Sequence, residues 1–594
     1  MQTKTSWDLT PLFSGLDDPR LTEAEQASTM AVEAFAKRWQ DRTDWLENPT
    51  SLAEIISDYE RLSRDHGQND KVLYYLWLRS ELDQADNAIK ARLNQARSLA
   101  QKLGNQTQFF GLRLARVTKE TQQEFLANPQ LASYRHFLES VFANAPYLLT
   151  EAEEKILNLQ SGVSYGNWVQ MTEASLAKEE REVAGQKRGF AEITGLVSKV
   201  DEKIRREAVG AFDEILGSKI EMAEAEINSV LENKKIDDEL RHTTRPDQLR
   251  HLSDDIETEV VDAMIKAVKQ NYQLAHDFYQ LKARLLKKDQ LAYHERGIPF
   301  GTIGRHYEFD EAVTIVGGAL KNLDEDLNKK YEQLLTNGQV DVLPKTSKSG
   351  GAFCAGESSI SLPTYILLNY TGEFRDVMTL AHEMGHGLNN ELIREKQNEL
   401  NFGTPTSTAE VASTLVELIV SEEIETKTSN ETRLAMLMAR LDDEIGTIFR
   451  QVAAYTFEQQ LHEDFRQAGF LSADNIGKLF RQKMSEYLGP AINFEDQHEK
   501  WWIHWSHFRR YFYVYSYASG LLIAKALHNK LREDKNFITQ IKEILSAGTS
   551  ASPREIFSQV GLDITAPDFW QKGLEETARD IKQAEELATK LGII

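Results

Sequence analysis

The chain has 594 residues, of which 41% are hydrophobic and 27% charged, and its 92 Asp+Glu against 69 Lys+Arg give a formal net charge of −23. Apolar material on this scale builds several domain-sized cores and excludes global disorder. The surplus negative charge, with no basic run interleaved with aromatics to reverse it, excludes nucleic acid and anionic membrane surfaces as partners.

Met1–Thr10 reads MQTKTSWDLT, without the apolar core and small-residue cleavage site of a signal peptide. No stretch reaches the ~18 uninterrupted apolar residues of a membrane span; the strongest local run, Leu415–Val420, is broken by Glu417. The one cysteine, Cys354, has no partner for an internal disulfide, so a cytoplasmic protein is expected. Only 13 prolines punctuate long Ala/Leu/Glu/Lys/Gln-rich segments, which predicts a mainly α fold. Hydroxyl-x-x-carboxylate signals at Thr22/Glu25, Ser51/Glu54, Thr121/Glu124, Thr150/Glu153 and Ser552/Glu555 are predicted helix starts. An N-terminal helical domain over about residues 1–200 and a second, catalytic domain over 201–594 are expected, with the softest boundary at Gly195–Arg205. No repeat of 20–50 residues is visible.

Gln339–Tyr370 reads differently. Val340, Val342, the Gly350-Gly351 pair, Ile360-Ser361-Leu362 and Tyr365-Ile366-Leu367-Leu368 predict a short hairpin or small sheet. Cys354 within it is expected to be a small buried hydrophobe rather than a nucleophile. Directly downstream, residues 376–390 contain His382-Glu383-Met384-Gly385-His386. A random chain of this length and composition would show His-Glu-x-x-His roughly 0.03 times. On a helix the two imidazoles share a face and can reach one zinc ion, while Glu383, about 100° round the axis, can contact water held there. The apolar flank Val377, Met378, Leu380 and Ala381 predicts a buried helix, where two unpartnered His would be costly.

A catalytic zinc takes three protein ligands and keeps one position open. No His follows His386 before His462, and the first Asp is Asp442, so the nearby candidates are glutamates. Glu391, Glu395 and Glu399 continue the same helix or its exit and cannot fold back onto the ion. After Asn401-Phe402-Gly403-Thr404-Pro405 a new helix is predicted to start near Thr406–Thr408, with Glu410 in its first turn. Glu410 is the preferred third ligand. Glu417, on the same face, is either a rival ligand or the carboxylate that orients one.

His382-Glu-Met-Gly-His386 followed by Ala409-Glu410-Val411-Ala412-Ser413-Thr414-Leu415 resembles the thimet-oligopeptidase-type metallopeptidases of family M3, with the oligoendopeptidase F branch the nearest likeness. The resemblance extends to Trp7-Asp8-Leu9, to Ser349–Cys354 and to His507–Gly520, and so spans most of the chain. It implies a helical ellipsoid with a deep channel, oligopeptide substrates and one zinc ion per chain; a monomer and a homodimer are both compatible with it. Asn389 stands where many relatives carry a His that supports the zinc ligands.

The resemblance also implies a His and Tyr residues near the C-terminal end as donors to the substrate and the oxyanion. In Trp501–Tyr517 these are His507, with Tyr513 and Tyr517, four apart, expected on one helical face. Tyr515 is the alternate and His504 is equally explained by packing. An exposed strand edge in the sheet region could hold an extended peptide by its main chain. The expected activity is that of a zinc-dependent endopeptidase on oligopeptides, with Glu383 as general base. The alternatives are a carboxypeptidase or dipeptidase using the same site, and a peptide-binding scaffold without turnover.

Overall fold

A computed structural model describes residues 3–67, 70–356, 359–494 and 498–594; Met1 and Gln2 of the N-terminal segment and 357–358 within Gln339–Tyr370 lie outside the described residues. The protein is mainly α, with three small sheets among the described residues. Thr150 and Ser552 cap helices as predicted, each accepting from the backbone N–H three residues on, and Thr150 and Glu153 form a reciprocal capping box. The other three signals lie inside helices that start earlier. Asp18 and Asn48 each cap a helix whose first residue is proline, and Thr118 caps the helix Lys119–Ala127. A short side-chain acceptor followed by a proline with preset φ is the stronger start signal, so Thr22 and Ser51 fall one turn too late.

The chain forms two compact units, each drawn from three stretches: Met1–Pro146, Arg305–Thr426 and Lys530–Leu562 in one, Tyr147–Gly304, Lys427–Asn529 and Asp563–Ile594 in the other. Residue 200 lies within the first stretch of the second unit.

In the first unit the predicted sheet has three strands. Tyr365–Leu367, fully buried, pairs in parallel with Val340–Asp341 and antiparallel with Phe353–Ala355, which is an edge strand. The N-terminal segment braces it: Trp7 Nε1 donates to the Ile366 carbonyl at 2.8 Å and Tyr365 Oη to the Asp8 carbonyl at 2.7 Å. A buried ion pair, Lys348 Nζ to Asp341 Oδ1 at 2.7 Å, is completed by the Leu343 and Leu368 carbonyls, so the buried charges are answered on all sides. Ile360–Leu362, expected as strand, is a turn. Ser361 Oγ bonds the Arg64 carbonyl, the Ile360 N–H bonds Glu399 Oε2, and Pro363 follows, so these groups are diverted from any ladder.

The second unit is built on long helices, among them Glu202–Ser218, Ile220–Leu240, Gln451–Ala468, Ala473–Leu488 and Pro567–Lys590. Gln451–Ala468 packs on Ala473–Leu488, and Asn430–Ile445 packs on Pro567–Lys590. Its strands are a hairpin, Glu180–Val183 with Gln186–Gly189, and a parallel pair, Leu291–Ala292 with Ile492–Asn493.

Candidate active site

The motif lies on the helix Phe374–Lys396, whose Val377, Leu380, Ala381, Met384 and Leu388 are buried. His382 and His386, one turn apart, bring their Nε2 atoms to 3.2 Å. Beyond this helix the chain turns back and packs Val411–Glu425 against it. Gly385 permits that approach: a Cβ there would lie 2.5 Å from Ser413 Cα and 2.7 Å from the Ala412 carbonyl oxygen. The second helix starts at Val411, later than expected. The Thr408 N–H bonds the Pro405 carbonyl and the Val411 N–H the Thr408 carbonyl, so the stretch after Pro405 is a turn and Glu410 is the N-cap residue.

From that position Glu410 Oε2 stands 3.3 Å from His382 Nε2 and 3.5 Å from His386 Nε2. Ligands at 2.0–2.1 Å from a tetrahedral zinc are about 3.3–3.4 Å apart. The three separations therefore match one face of a zinc tetrahedron, with the fourth vertex left for water or substrate, and the donor set fits the ion. Ser413 Oγ, 2.9 Å from Glu410 Oε2, holds that carboxylate.

Glu417 takes the orienting role: its Oε1 lies 2.5 Å from His382 Nδ1. With Nδ1 donating there, Nε2 presents its lone pair to the face shared with His386 and Glu410. Burial works against a charge on His382, but the Glu417 hydrogen bond and the surrounding carboxylates outweigh it and push the imidazole up to about 9. Burial would raise Glu410, yet His386, His382 and Ser413 hold it down at about 2. Glu383, itself buried, is raised chiefly by burial. Glu417→Ala is expected to weaken zinc binding about 10- to 100-fold, as loss of a ligand's supporting hydrogen bond does. Competition with a chromophoric chelator measures it, and unchanged affinity would remove Glu417 from this role.

The other nearby glutamates are engaged elsewhere. Glu391 accepts from Thr364 Oγ1 at 2.7 Å, Glu395 pairs with Lys330 at 2.6 Å and Glu399 accepts from Ser359 and Ile360. Asn389 Nδ2 donates to the Leu545 carbonyl at 2.6 Å, tying the motif helix to the helix Ile538–Ser546. Cys354, on the edge strand, is half-buried, with Sγ 3.8 Å from Asn390 Nδ2. Among the described residues a further group of metal-capable side chains is His136, Glu139 and Glu555, but Arg135 already pairs with Glu139 at 2.8 Å.

In the second unit His507, Tyr513 and Tyr517 come together. His507 Nε2 is 3.3 Å from Tyr517 Oη, and the Tyr513 ring lies 6.3 Å from that of His507 and 5.4 Å from that of Tyr517. The two tyrosines do not share a helical face as expected. The helix begins at Tyr515, and Tyr511 and Phe512, at φ 48° and 60°, interrupt helical geometry just before Tyr513. Tyr515 turns inward and donates to Asp254 Oδ2 at 2.9 Å, which makes it structural. His504 packs edge-on against Phe212, and burial pushes it down to about 4.

Beneath this segment lies a residue that no local pattern announced, Glu458, fully buried and accepting the Phe512 N–H at 2.7 Å. Burial pushes its carboxyl up to about 8, although the Phe512 bond acts the other way. The folded protein then keeps a proton that the unfolded chain has released, so this group's contribution to stability falls as pH rises from about 4.5 to about 8. Glu458→Gln is expected to flatten that decline in urea unfolding across the same window; parallel profiles for the two proteins would contradict it.

Residues 321–576 match the model of peptidase family M3 and residues 113–178 that of oligopeptidase F. An oligoendopeptidase F homolog of Borreliella burgdorferi is 26% identical over 94% of this chain and 94% of its own length. The group B oligopeptidase PepB of Streptococcus agalactiae is 26% identical over 99% of this chain and 98% of its own. In three dimensions the crystal structure of a Chlamydophila abortus protein, 24% identical, superimposes with a TM-score of 0.85 over 99% of both chains and shares the fold.

Proposed function

The chain belongs to peptidase family M3 and is a metallo-oligopeptidase, and we propose that it is a zinc-dependent endopeptidase that hydrolyses internal bonds of oligopeptides. The observation that carries this reading is the tetrahedral spacing of His382, His386 and Glu410 beside the buried Glu383. His382, His386 and Glu410 would hold one zinc ion. When bound, the ion supplies positive charge that polarises the scissile carbonyl and makes water a better acid.

Glu383 takes a proton from the attacking water and returns it to the leaving amine nitrogen; a carboxyl raised by burial is suited to both steps. His507, Tyr513 and Tyr517 are assigned as donors to the substrate and its developing oxyanion. The edge strand Phe353–Ala355 offers main-chain hydrogen bonds to an extended peptide, which would make recognition independent of side-chain sequence. No helix among the described residues is long and apolar enough to cross a membrane, and we assign the enzyme to the cytoplasm.

An internally quenched peptide blocked at both ends tests the reading. Cleavage at an internal bond, with fragments identified by mass, is the expected result. Intact blocked peptide alongside trimming of the unblocked one would mean an exopeptidase, and binding without turnover of either would mean a scaffold.

A further inference from the structure

Tyr511 and Phe512 are consecutive bulky residues in the left-handed region, immediately before Tyr513. Side chains of this size rarely adopt such φ values, and the conformation persists only where the surroundings over-determine it. Two helices of the same unit, Ile220–Leu240 and Gln451–Ala468, do so. Glu458 accepts from the Phe512 N–H at 2.7 Å, and the Val230 carbonyl accepts from Tyr511 Oη at 3.1 Å. Arg509, just upstream, forms a buried two-pronged pair with Glu226 at 2.9 and 2.7 Å.

Arg250 adds a contact of another kind. Its Nε donates to the Tyr511 carbonyl at 2.9 Å and its Nη2 to the Arg510 carbonyl at 2.7 Å, while Cζ lies 5.9 Å from the centre of the Tyr513 ring. Asp254, 3.4 Å from Nη1, also accepts from Tyr515 Oη, so the same carboxylate ties Arg250 to the start of the next helix. A rigid planar fork can bond two successive carbonyls and lie by an aromatic ring at once; a flexible ammonium cannot.

We propose that Arg250 is a positioning residue for peptide hydrolysis: it clamps the Arg510 and Tyr511 carbonyls and thereby fixes the orientation of Tyr513. The proposal rests on the assignment of Tyr513 as a substrate donor made above. Without the clamp the only restraint on the Arg510 and Tyr511 carbonyls described above is lost; the strained backbone relaxes there toward ordinary φ values, and Tyr513, directly attached to it, turns away from the geometry it now holds. A displacement of about 1 Å in such a group costs about a hundredfold in rate.

Arg250→Met is expected to lower kcat about 10- to 100-fold with KM within about threefold of the parent, the pattern of a misplaced transition-state donor. On a Tyr513→Phe background the same substitution is expected to cost little more, because both changes remove one contribution. A full additional loss in the double variant, or parental kcat in the single one, would overturn the proposal. If Tyr513→Phe alone leaves kcat unchanged, it is the assignment of Tyr513 that fails, and the clamp is then judged by trypsin at the exposed Arg510. Faster cutting after Arg510 in the folded Arg250→Met variant supports the clamp, and cutting at the parental rate overturns it.

Discussion

Glu383→Gln is expected to lower peptide cleavage about 10²- to 10⁴-fold, the range over which a positioned general base acts, while the protein keeps its zinc. The two halves of this expectation come from different observations. Glu383 adjoins His382 in sequence but lies about 100° from it round the helix, and it is outside the group whose donor atoms converge. Its amide replacement keeps size and loses the ability to accept a proton. Zinc content by mass spectrometry and turnover of the blocked peptide read the two halves separately. Substantial turnover in the zinc-loaded variant would take the base assignment away from Glu383.

Glu410→Ala is expected to give the reverse pattern, with loss of the ion first and loss of activity as its consequence. Two imidazole Nε2 atoms 3.2 Å apart remain, but the third vertex is gone, and Ser413 Oγ loses its carboxylate partner. The affinity loss should exceed the about 10- to 100-fold expected for an orienting residue such as Glu417. Part of the activity should return in excess zinc, which distinguishes this variant from Glu383→Gln, where added zinc restores nothing. A Glu410→Ala protein that retains zinc through dialysis would make Glu417 the better ligand candidate.

What could be read from the sequence follows the range of the interactions involved. His382 and His386 were legible because a helix repeats every 3.6 residues, and their pairing needs nothing beyond that local period. Glu410 is legible because no His or Asp lies near the motif on its C-terminal side, although its helix starts later than expected because a turn follows Pro405. Gly385 and Ser413 carry no such signal. Their roles exist only because two helices pack closely enough for a Cβ to clash and a hydroxyl to reach across.

The same limit explains Tyr513 and Tyr517. Spacing four apart implied one helical face, but the left-handed backbone at Tyr511 and Phe512 intervenes and the two rings meet by another route. That backbone is imposed by Arg250 and Glu458, 261 and 54 residues away from their partners in the chain. Helix starts divide similarly: Thr150 and Ser552 act where no stronger cap precedes them, whereas Asp18-Pro19 and Asn48-Pro49 override the signals that follow.

Binding of one catalytic zinc by His382, His386 and Glu410 is tested by a zinc titration of chelator-stripped protein that follows bound metal and cleavage of the blocked peptide together. Both are predicted to rise in parallel and saturate at one ion per chain. Undiminished cleavage by the stripped protein, or stoichiometric zinc without cleavage, would contradict it.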